Sequence, residues 1–202
     1  MEKKYGQLVR NVSNGLLDSA DLMALPMQTL LKTHMRVGNE TYFKAHGHKG
    51  LTTLMKKDVK VIGSLVKFNF IGKDGVPIFL SKKFSSQYVI RLKELLKSKK
   101  NDEFVFTKNG LVLHENDFKQ AFLKYCGQEF YPHIIRSYYA TTQVRKFLAR
   151  GKVGKLEKEK LFMSLAHELG HKKYNKKKQV WQDSYAVTIN SYIQPELFEK
   201  LV

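Results

Sequence analysis

The sequence predicts an α+β fold that is mostly helical and contains one small antiparallel sheet. Apolar residues recur at helical spacing over most of the 202 residues. Between Lys60 and Leu80 the pattern changes to β-branched and aromatic residues, interrupted by the turn-forming segment Gly72–Gly75. The hydrophobic share of 43% is enough for a buried core, so we expect residues 1–202 to form a single domain.

The first half of the chain is predicted to combine helices with the sheet. Residues 1–35 are expected to be a helical lead-in, with one helix through Met27–Thr33. Two β-favouring runs around the Gly/Asp-rich turn predict a β-hairpin with Lys73 at or near its tip. A short apolar run at Phe104–Phe106 indicates an edge strand.

The second half is predicted to be helical. One helix covers His133–Leu148, directly after Pro132. A second helix ends at Gly170, a residue suited to a helix C-terminus. Its apolar stripe consists of Leu161, Leu165 and Leu169.

The segment after Gly170 contains a run of lysines followed by a helical pattern. Its lysine run, Lys172–Lys178, is predicted to be a loop that contains Tyr174. The helix expected after it would place Trp181, Tyr185 and Thr188 on one face.

Net charge indicates the class of partner. Lys and Arg number 36 against 18 Asp and Glu, a formal charge of +18. So large a charge opposes compaction, and a polyanion such as nucleic acid is its natural counterpart. No apolar run approaches 18 residues and no signal-peptide pattern is present, which argues against a membrane partner. The single cysteine, Cys126, cannot form an internal disulfide, which favours an intracellular, reducing compartment.

Basic residues are concentrated late in the chain, between Arg145 and Lys178. A single lysine there is best explained as a solvated side chain. For the whole stretch we favour contact with phosphates, because solvating charges are normally mixed in sign. The stretch contains only three acidic residues, Glu157, Glu159 and Glu168.

Five separated segments resemble segments of the type IB DNA topoisomerases, in that family's order, and the resemblance covers the chain from about Leu25 onward. The compact enzymes of large DNA viruses are the most similar. The segments are Met35–Glu40 (with Tyr42 and Gly50–Leu54), Phe68–Gly75, His133–Tyr138, Leu169–His171 and Asp183–Ala186.

The resemblance implies a catalytic set that needs neither ATP nor a metal or other cofactor. Tyr185 would be the nucleophile, and Lys73 would protonate the leaving oxygen. Arg36, Arg136 and His171 would hold the scissile phosphate. These residue types suit the chemistry, because preorganised cationic donors stabilise charge on the phosphate oxygens. A free tyrosine ionises only near pH 10, so it needs such an electropositive site to attack at neutral pH.

The expected partner is double-stranded DNA, bound by a monomer without a small-molecule cofactor or a membrane. We expect the protein in the nucleus, a viral factory or a virion if it is viral, and otherwise in the cytoplasm. Further DNA contacts are predicted for Lys49, Thr52, Lys56, Lys57, Tyr138, Lys172, Lys173 and Lys176.

Two departures from the family pattern leave the nucleophile open. Ile134-Ile135 stand where the family has an aspartate and a hydrophobic residue. The stretch from His171 to Tyr185 is also longer than in the family, so Tyr174 and Tyr192 remain alternatives. Tyr185 is preferred because a serine precedes it and a small residue follows it.

Three other functions compete with this interpretation. A tyrosine recombinase shares the chemistry, but the segments at Arg36 and Gly50 resemble topoisomerases, and only about 17 residues follow Tyr185 for subunit exchange. A non-enzymatic DNA-binding protein would explain the charge but not the five segments. His167–His171 matches the His-Glu-x-x-His zinc-protease pattern, yet a third ligand is not evident and the flanking lysines would repel a cation.

Relatives also carry an N-terminal domain that closes over the duplex. Only 35 residues precede Arg36, so we expect that domain to be absent from this chain or supplied separately.

Overall fold

Two compact units make up the protein in the computed structural model, which describes residues 1–151 and 154–201. We name Met1–Pro132 the N-terminal unit and His133–Val202 the C-terminal unit. Lys152, in the basic stretch of the sequence, lies outside the described residues. In the part of the chain that is described, no helix has both the length and the apolar character needed to cross a membrane.

The N-terminal unit combines α-helices with a small sheet. The five helices are α1 (Glu2–Gly15), α2 (Ala24–Thr33), α3 (Glu40–His46), α4 (Ser86–Lys97) and α5 (Glu115–Cys126). The predicted helix through Met27–Thr33 is confirmed as part of α2. Helix α1 packs on α2 and α5 through buried Leu8 and Val12.

The predicted hairpin is confirmed as part of a three-stranded antiparallel sheet. Its strands are β1 (Val59–Ile62), β2 (Leu65–Ile71) and β3 (Pro77–Lys83), in that spatial order. Alternate residues of β2 are buried, so one face of the sheet covers the core while the other is solvated. Lys73 lies in the turn between β2 and β3, as the sequence predicts.

The predicted edge strand at Phe104–Phe106 is wrong. Phe104 forms only an isolated bridge with Met55, and the regular ladder nearby is the short pair β4 (Thr107–Lys108) and β5 (Leu111–Val112). Val105 and Phe106 are buried, so they pack as core residues rather than lining an edge. A run of three apolar residues does not distinguish these outcomes.

The C-terminal unit consists of four helices and a hairpin. The helix predicted over His133–Leu148 is confirmed one residue shorter, and Gly170 ends the following helix in the left-handed conformation, with φ +66°, as predicted. The elements are α6 (Ile134–Leu148), α7 (Lys155–Leu169), β6 (Lys172–Asn175), β7 (Val180–Asp183), α8 (Ala186–Tyr192) and α9 (Pro195–Glu199).

One hydrophobic cluster holds these helices together. It joins the inward faces of α6, α7 and α8, and Leu165 and Leu169 of the predicted leucine stripe are buried in it. The cluster consists of Ala140, Val144, Phe147, Phe162, Leu165, Leu169, Tyr192, Ile193 and Leu201.

The prediction for the lysine run is wrong, because this segment is an antiparallel hairpin and not a loop. Tyr174 of β6 is paired with Trp181 of β7, and their rings meet edge to face at 5.4 Å. Trp181 is therefore on a strand, Tyr185 directly precedes α8, and only Thr188 lies within a helix. Cross-strand aromatic packing decides this outcome, and spacing along the chain does not report it.

Candidate active site

Arg136 is the centre of a buried polar group in the C-terminal unit. It lies in the first turn of α6 and is only 3% exposed. One of its Nη2 hydrogens goes to the Leu169 carbonyl at 2.9 Å, and the same nitrogen is 2.9 Å from His171 Nε2. Its Nε donates to the Tyr192 hydroxyl at 3.3 Å. Hydrogen bonds of this kind are what make a buried guanidinium tolerable.

His171 is held in this group from both sides of its ring. It follows the Gly170 cap, and its backbone N–H bonds to the Ala166 carbonyl at 2.8 Å. Its Nδ1 is 2.7 Å from the Thr188 hydroxyl. A guanidinium only donates, so Nε2 accepts from Arg136 and the ring proton on Nδ1 is donated to Thr188.

Tyr192 is the tyrosine that the structure brings to Arg136 and His171. It is the last residue of α8 and is 3% exposed. The Arg136 guanidinium lies 5.0 Å from the centre of its ring, and the His171 ring centre lies 4.9 Å away. His133, at the start of α6, stacks on the same ring at 4.7 Å.

Other tyrosines of the C-terminal unit have different surroundings. The Tyr185 ring packs on Phe162 at 5.6 Å, at the edge of the hydrophobic cluster. Tyr174 projects from β6 beside Trp181 and is 43% exposed. Burial, together with the charge of Glu168, raises the pKa of Tyr139 to about 12, which makes its oxygen harder to ionise.

Arg36 is positioned by contact between two of the sequence segments. The backbones of Gly38 and Gly50 touch so closely that a Cβ on Gly50 would lie 2.6 Å from the Gly38 Cα. The Leu51 N–H donates to the Arg36 carbonyl at 2.8 Å, and Thr52 bonds to the carbonyl of the next residue. The glycines of this pattern are therefore required by close backbone approach.

Lys73 projects into solvent from a tight turn. The Gly72 N–H bonds to the Val76 carbonyl at 2.8 Å, and Asp74 adopts φ +60°. The Lys49 N–H donates to the Ile71 carbonyl at 2.7 Å, just before this turn. Segment 49–52 thus ties the Arg36 backbone and the base of the Lys73 turn to one another.

The four DNA contacts predicted in the N-terminal unit are all engaged within the chain. Lys49 pairs with buried Asp58 at 2.6 Å, and the Thr52 hydroxyl donates to a backbone carbonyl. Lys56 donates to the Lys99 carbonyl at 2.8 Å. Lys57 pairs with Asp102; the hydrogen bond and the charge of that carboxylate raise the pKa of Lys57. Their contact with DNA stays a prediction.

A basic hairpin follows His171, and we name residues 172–183 the lysine hairpin. Lys173 and the turn lysines are exposed, Lys172 is half-buried, and the one carboxylate in the segment is Asp183. That carboxylate lies 2.9 Å from His167 Nδ1. The turn lysines are Lys176, Lys177 and Lys178. Tyr138, the remaining predicted DNA contact, is half-buried on α6.

The two histidines of the zinc-protease pattern face different surroundings. His167 is on the solvent side of α7, with its side chain 73% exposed, whereas His171 is 6% exposed between Arg136 and Thr188. Across residues 1–151 and 154–201, no three His, Cys, Asp or Glu side chains are grouped to hold a metal ion. A guanidinium beside Nε2 also disfavours a cation there.

The sequence alone does not group His133, Thr188 and Tyr192 with Arg136 and His171. It assigns no role to His133, places Thr188 only on a helix face and leaves Tyr192 as an alternative nucleophile. The signal for them is spacing: His133 and Arg136 are three apart, and Thr188 and Tyr192 are four apart, so each pair shares a helix face. That signal becomes specific only when α8 is known to begin at Ala186.

Comparisons with known proteins add the family and the fold. The profile described as "Eukaryotic DNA topoisomerase I, catalytic core" matches residues 7–196. Among curated protein sequences, none matches this chain. The fold is that of the topoisomerase IB and tyrosine recombinase class, mostly helical with small antiparallel sheets.

Two solved structures share this fold. A XerH site-specific recombinase bound to difH substrate, in a pre-cleavage complex, has a TM-score of 0.55 at 16% identity, covering 98% of this chain and 52% of that one. The same recombinase bound to palindromic difH, in a post-cleavage complex, has a TM-score of 0.53 at 16% identity, covering 83% and 45%. This chain spans about half the length of those proteins.

Proposed function

The chain belongs to the eukaryotic DNA topoisomerase I catalytic-core family, and from that premise we propose that it is a type IB enzyme. Such an enzyme cuts one strand of duplex DNA through a tyrosine, lets the broken strand rotate about its partner and reseals it. The covalent bond to the tyrosine retains the energy of the broken phosphodiester, so no ATP is consumed.

The observation that carries this proposal is the convergence of Arg136, His171 and Tyr192. The Arg136 guanidinium lies 2.9 Å from His171 Nε2 and donates to the Tyr192 hydroxyl at 3.3 Å, so two nitrogen groups suited to phosphate meet beside a phenol. A phosphodiester bound there would meet preorganised donors that act at low dielectric. Its oxygens would accept hydrogen bonds from Arg136 Nη2 and from a protonated His171 Nε2.

We propose Tyr192 as the nucleophile in place of Tyr185. The Arg136 Nε–H that reaches its oxygen would stabilise the negative charge formed when this oxygen attacks phosphorus. Tyr185 instead supports the hydrophobic cluster through its contact with Phe162. Helix α8 fixes the direction of the Tyr192 side chain, as in-line attack requires.

The remaining roles follow from the family resemblance. The bond between phosphorus and the Tyr192 oxygen forms while the bond to the 5′ oxygen breaks, and the phenol proton of Tyr192 passes to solvent water. Lys73 gives its proton to the 5′ oxygen, and Arg36 shares the charge of the phosphate with Arg136 and His171. The reverse steps restore the strand. No cofactor takes part in this scheme.

Double-stranded DNA is the proposed partner, with the lysine hairpin as its main contact in the C-terminal unit. Exposed lysines on phosphates release counterions and give affinity without sequence preference. The XerH structures contain bound DNA substrate, which supports DNA as the partner of this fold. We expect the chain to act as a monomer.

A tyrosine recombinase is the second candidate, favoured by the two solved structures. The Gly38–Gly50 contact that positions Arg36 belongs to the segments that resemble topoisomerases, and the family profile agrees with them. Relaxation of plasmid without exchange of strands between two DNA molecules would support the topoisomerase.

The decisive experiment is relaxation of supercoiled plasmid in EDTA without ATP, followed by detergent trapping of the covalent adduct. After nuclease digestion, the nucleotide should be found on the peptide that contains Tyr192, joined through a 3′ phosphate. Relaxation only with added metal or nucleotide would contradict the proposed function. An adduct on Tyr185 or Tyr174 would retain the function and overturn the choice of nucleophile.

A further inference from the structure

Thr188 occupies a position that the catalytic scheme above does not use. It lies in the middle of α8 and is fully buried, at 0% exposure. Its Oγ1 is 2.7 Å from His171 Nδ1, the shorter of the two hydrogen bonds described for that ring. A buried hydroxyl at this distance fixes the rotation of the imidazole and gives its Nδ1 proton an acceptor, while the Arg136 donor keeps Nε2 unprotonated.

We propose that Thr188 is a positioning residue that acts through His171. By accepting from Nδ1–H, it keeps Nε2 directed at Arg136 and at the place of the scissile phosphate. The proposal rests on the proposed function for its consequence in catalysis. The ring state that it describes exists in the DNA-free protein and can be measured there.

The same helix carries the nucleophile. Thr188 and Tyr192 are four residues apart in α8, so both side chains project from one face toward His171 and Arg136. Docking of α8 therefore delivers the attacking oxygen and orients the phosphate-binding histidine in one event. If α8 is displaced, the protein has neither the attacking oxygen in place nor an oriented His171. Attack therefore occurs only when the phosphate is fully held.

When DNA binds, the bond between Thr188 and His171 Nδ1 would be retained, while the partner of His171 Nε2 would change. In the free protein Nε2 accepts from Arg136. When a phosphate oxygen replaces the guanidinium there, Nε2 must carry a proton and donate it. Thr188 continues to accept from Nδ1–H, so the doubly protonated ring has a partner on each nitrogen.

The competing explanation is that Thr188 only fills space between helices. Two substitutions separate the alternatives. Thr188→Val keeps the shape and removes the hydroxyl, whereas Thr188→Ser keeps the hydroxyl and removes a methyl group. Thr141→Val is the control for the ring-proton measurement, because Thr141 is another buried threonine of the same unit and its hydroxyl bonds to the Tyr192 carbonyl at 3.4 Å, not to His171.

The first measurement is the chemical shift and solvent exchange of the His171 Nδ1 proton in DNA-free protein, from ¹H–¹⁵N correlations of the imidazole. The chain has seven histidines, so the His171 signals are assigned by their loss in His171→Asn. Wild type, Thr188→Ser and Thr141→Val should show a downfield, slowly exchanging proton on Nδ1. Thr188→Val leaves that proton without its acceptor, so the proton should move upfield and exchange faster with solvent.

The second measurement is the single-turnover rate of adduct formation at saturating DNA. Thr188→Val should be slower by roughly 10- to 100-fold, the usual effect of losing an outer partner of a site histidine. Thr188→Ser should stay close to the wild-type rate.

A Thr188→Val protein whose Nδ1 proton keeps the wild-type shift and exchange rate would overturn the proposal, as would a Thr188→Ser protein as slow as Thr188→Val. A changed Nδ1 proton with an unchanged cleavage rate would overturn the catalytic consequence. If wild-type protein forms no adduct at all, the proposed function fails, while the Nδ1 proton measurement still tests the bond itself.

Discussion

The two units hold buried charge in different surroundings. In the N-terminal unit, buried Asp21 meets the Lys124 ammonium at 2.8 Å and accepts from the Tyr125 hydroxyl at 2.7 Å. In the C-terminal unit, buried Arg136 lies beside His171 and the phenol of Tyr192. The carboxylate is paired with a cation, whereas the guanidinium is held beside an imidazole and a phenol.

We infer that this difference separates a structural charge from a functional one. The contacts of Asp21 tie the start of α2 to α5, so their loss would destabilise the unit. The groups beside Arg136 come from α7, from His171 and from α8, and we propose that Arg136 and His171 bind an anionic ligand there. Substitutions in the two units should therefore change different measurable properties.

The largest expected effect is at Tyr192. Tyr192→Phe removes one oxygen and leaves the ring against Arg136 and His133, so folding and DNA binding should persist. Adduct formation and plasmid relaxation should be lost completely. Tyr185→Phe is the matched control and should retain both activities. Retained adduct in Tyr192→Phe would break the comparison, because the C-terminal cluster would then be structural.

A smaller loss is expected when the phosphate ligands change. Arg136→Ala should slow cleavage by roughly 10²- to 10³-fold, as for loss of one preorganised donor to a developing charge. Lys73→Ala should also slow cleavage, because the 5′ oxygen then leaves without a proton. The cleavage site is first mapped on plasmid, and a duplex with a 5′-bridging sulfur is then made at that site.

A thiolate leaves without protonation, so the sulfur should rescue Lys73→Ala and not Arg136→Ala. Equal rescue of the two variants would remove the distinction between a leaving-group acid and a ligand of the non-bridging oxygens.

Asp21 should change stability instead of chemistry. Burial alone would raise the pKa of this carboxyl, but hydrogen bonds from Lys124 and Tyr125 and the nearby positive charge lower it below its usual value. A lowered folded pKa contributes stability above the usual aspartate pKa, about 4, and that contribution is lost as pH falls through the folded value. The free energy of unfolding should therefore decrease below about pH 4 in wild type.

Asp21→Ala leaves the Tyr125 hydroxyl buried without its acceptor, and should lower the free energy of unfolding by about 1–3 kcal/mol at neutral pH. Its acid dependence should also be shallower. Asp102→Ala is the control, because the hydrogen bond from Lys57 lowers the pKa of that carboxyl too, yet the pair is exposed and contributes little. Denaturant titrations over a pH series measure the free energy of unfolding of both variants. Equal losses for Asp21→Ala and Asp102→Ala would contradict the structural role of Asp21.

The smallest effect is expected in the lysine hairpin. Replacing Lys176, Lys177 and Lys178 together by glutamine should reduce DNA affinity at low salt while the rate of cleavage at saturating DNA is kept. If all three contact phosphates, the slope of log affinity against log salt should fall by about 0.9 for each lysine. Fluorescence anisotropy at several salt concentrations measures this slope, and an unchanged slope would place the DNA elsewhere.

Short-range sequence patterns were sufficient to predict much of the local structure of this protein. The turn that presents Lys73, the helix that carries Arg136 and the Gly170 cap before His171 are each specified by a few neighbouring residues. Turn formation and helix capping depend on residues only a few positions apart, so they can be predicted from the sequence. The same holds for the glycine pair that positions Arg36, whose spacing the family pattern contains.

Tertiary structure decided which tyrosine reaches the site. The Tyr174–Trp181 contact closes the lysine run into a hairpin, and that hairpin delays the start of α8 to Ala186. Tyr185 is thereby placed before the helix and against Phe162, while Tyr192, one turn after Thr188, is carried to Arg136. The sequence by itself determined the fold class, the charge and the residue types of the chemistry, because these depend on composition and short-range pattern. The register of α8 depends on contacts between residues far apart in the chain, and only packing specifies those.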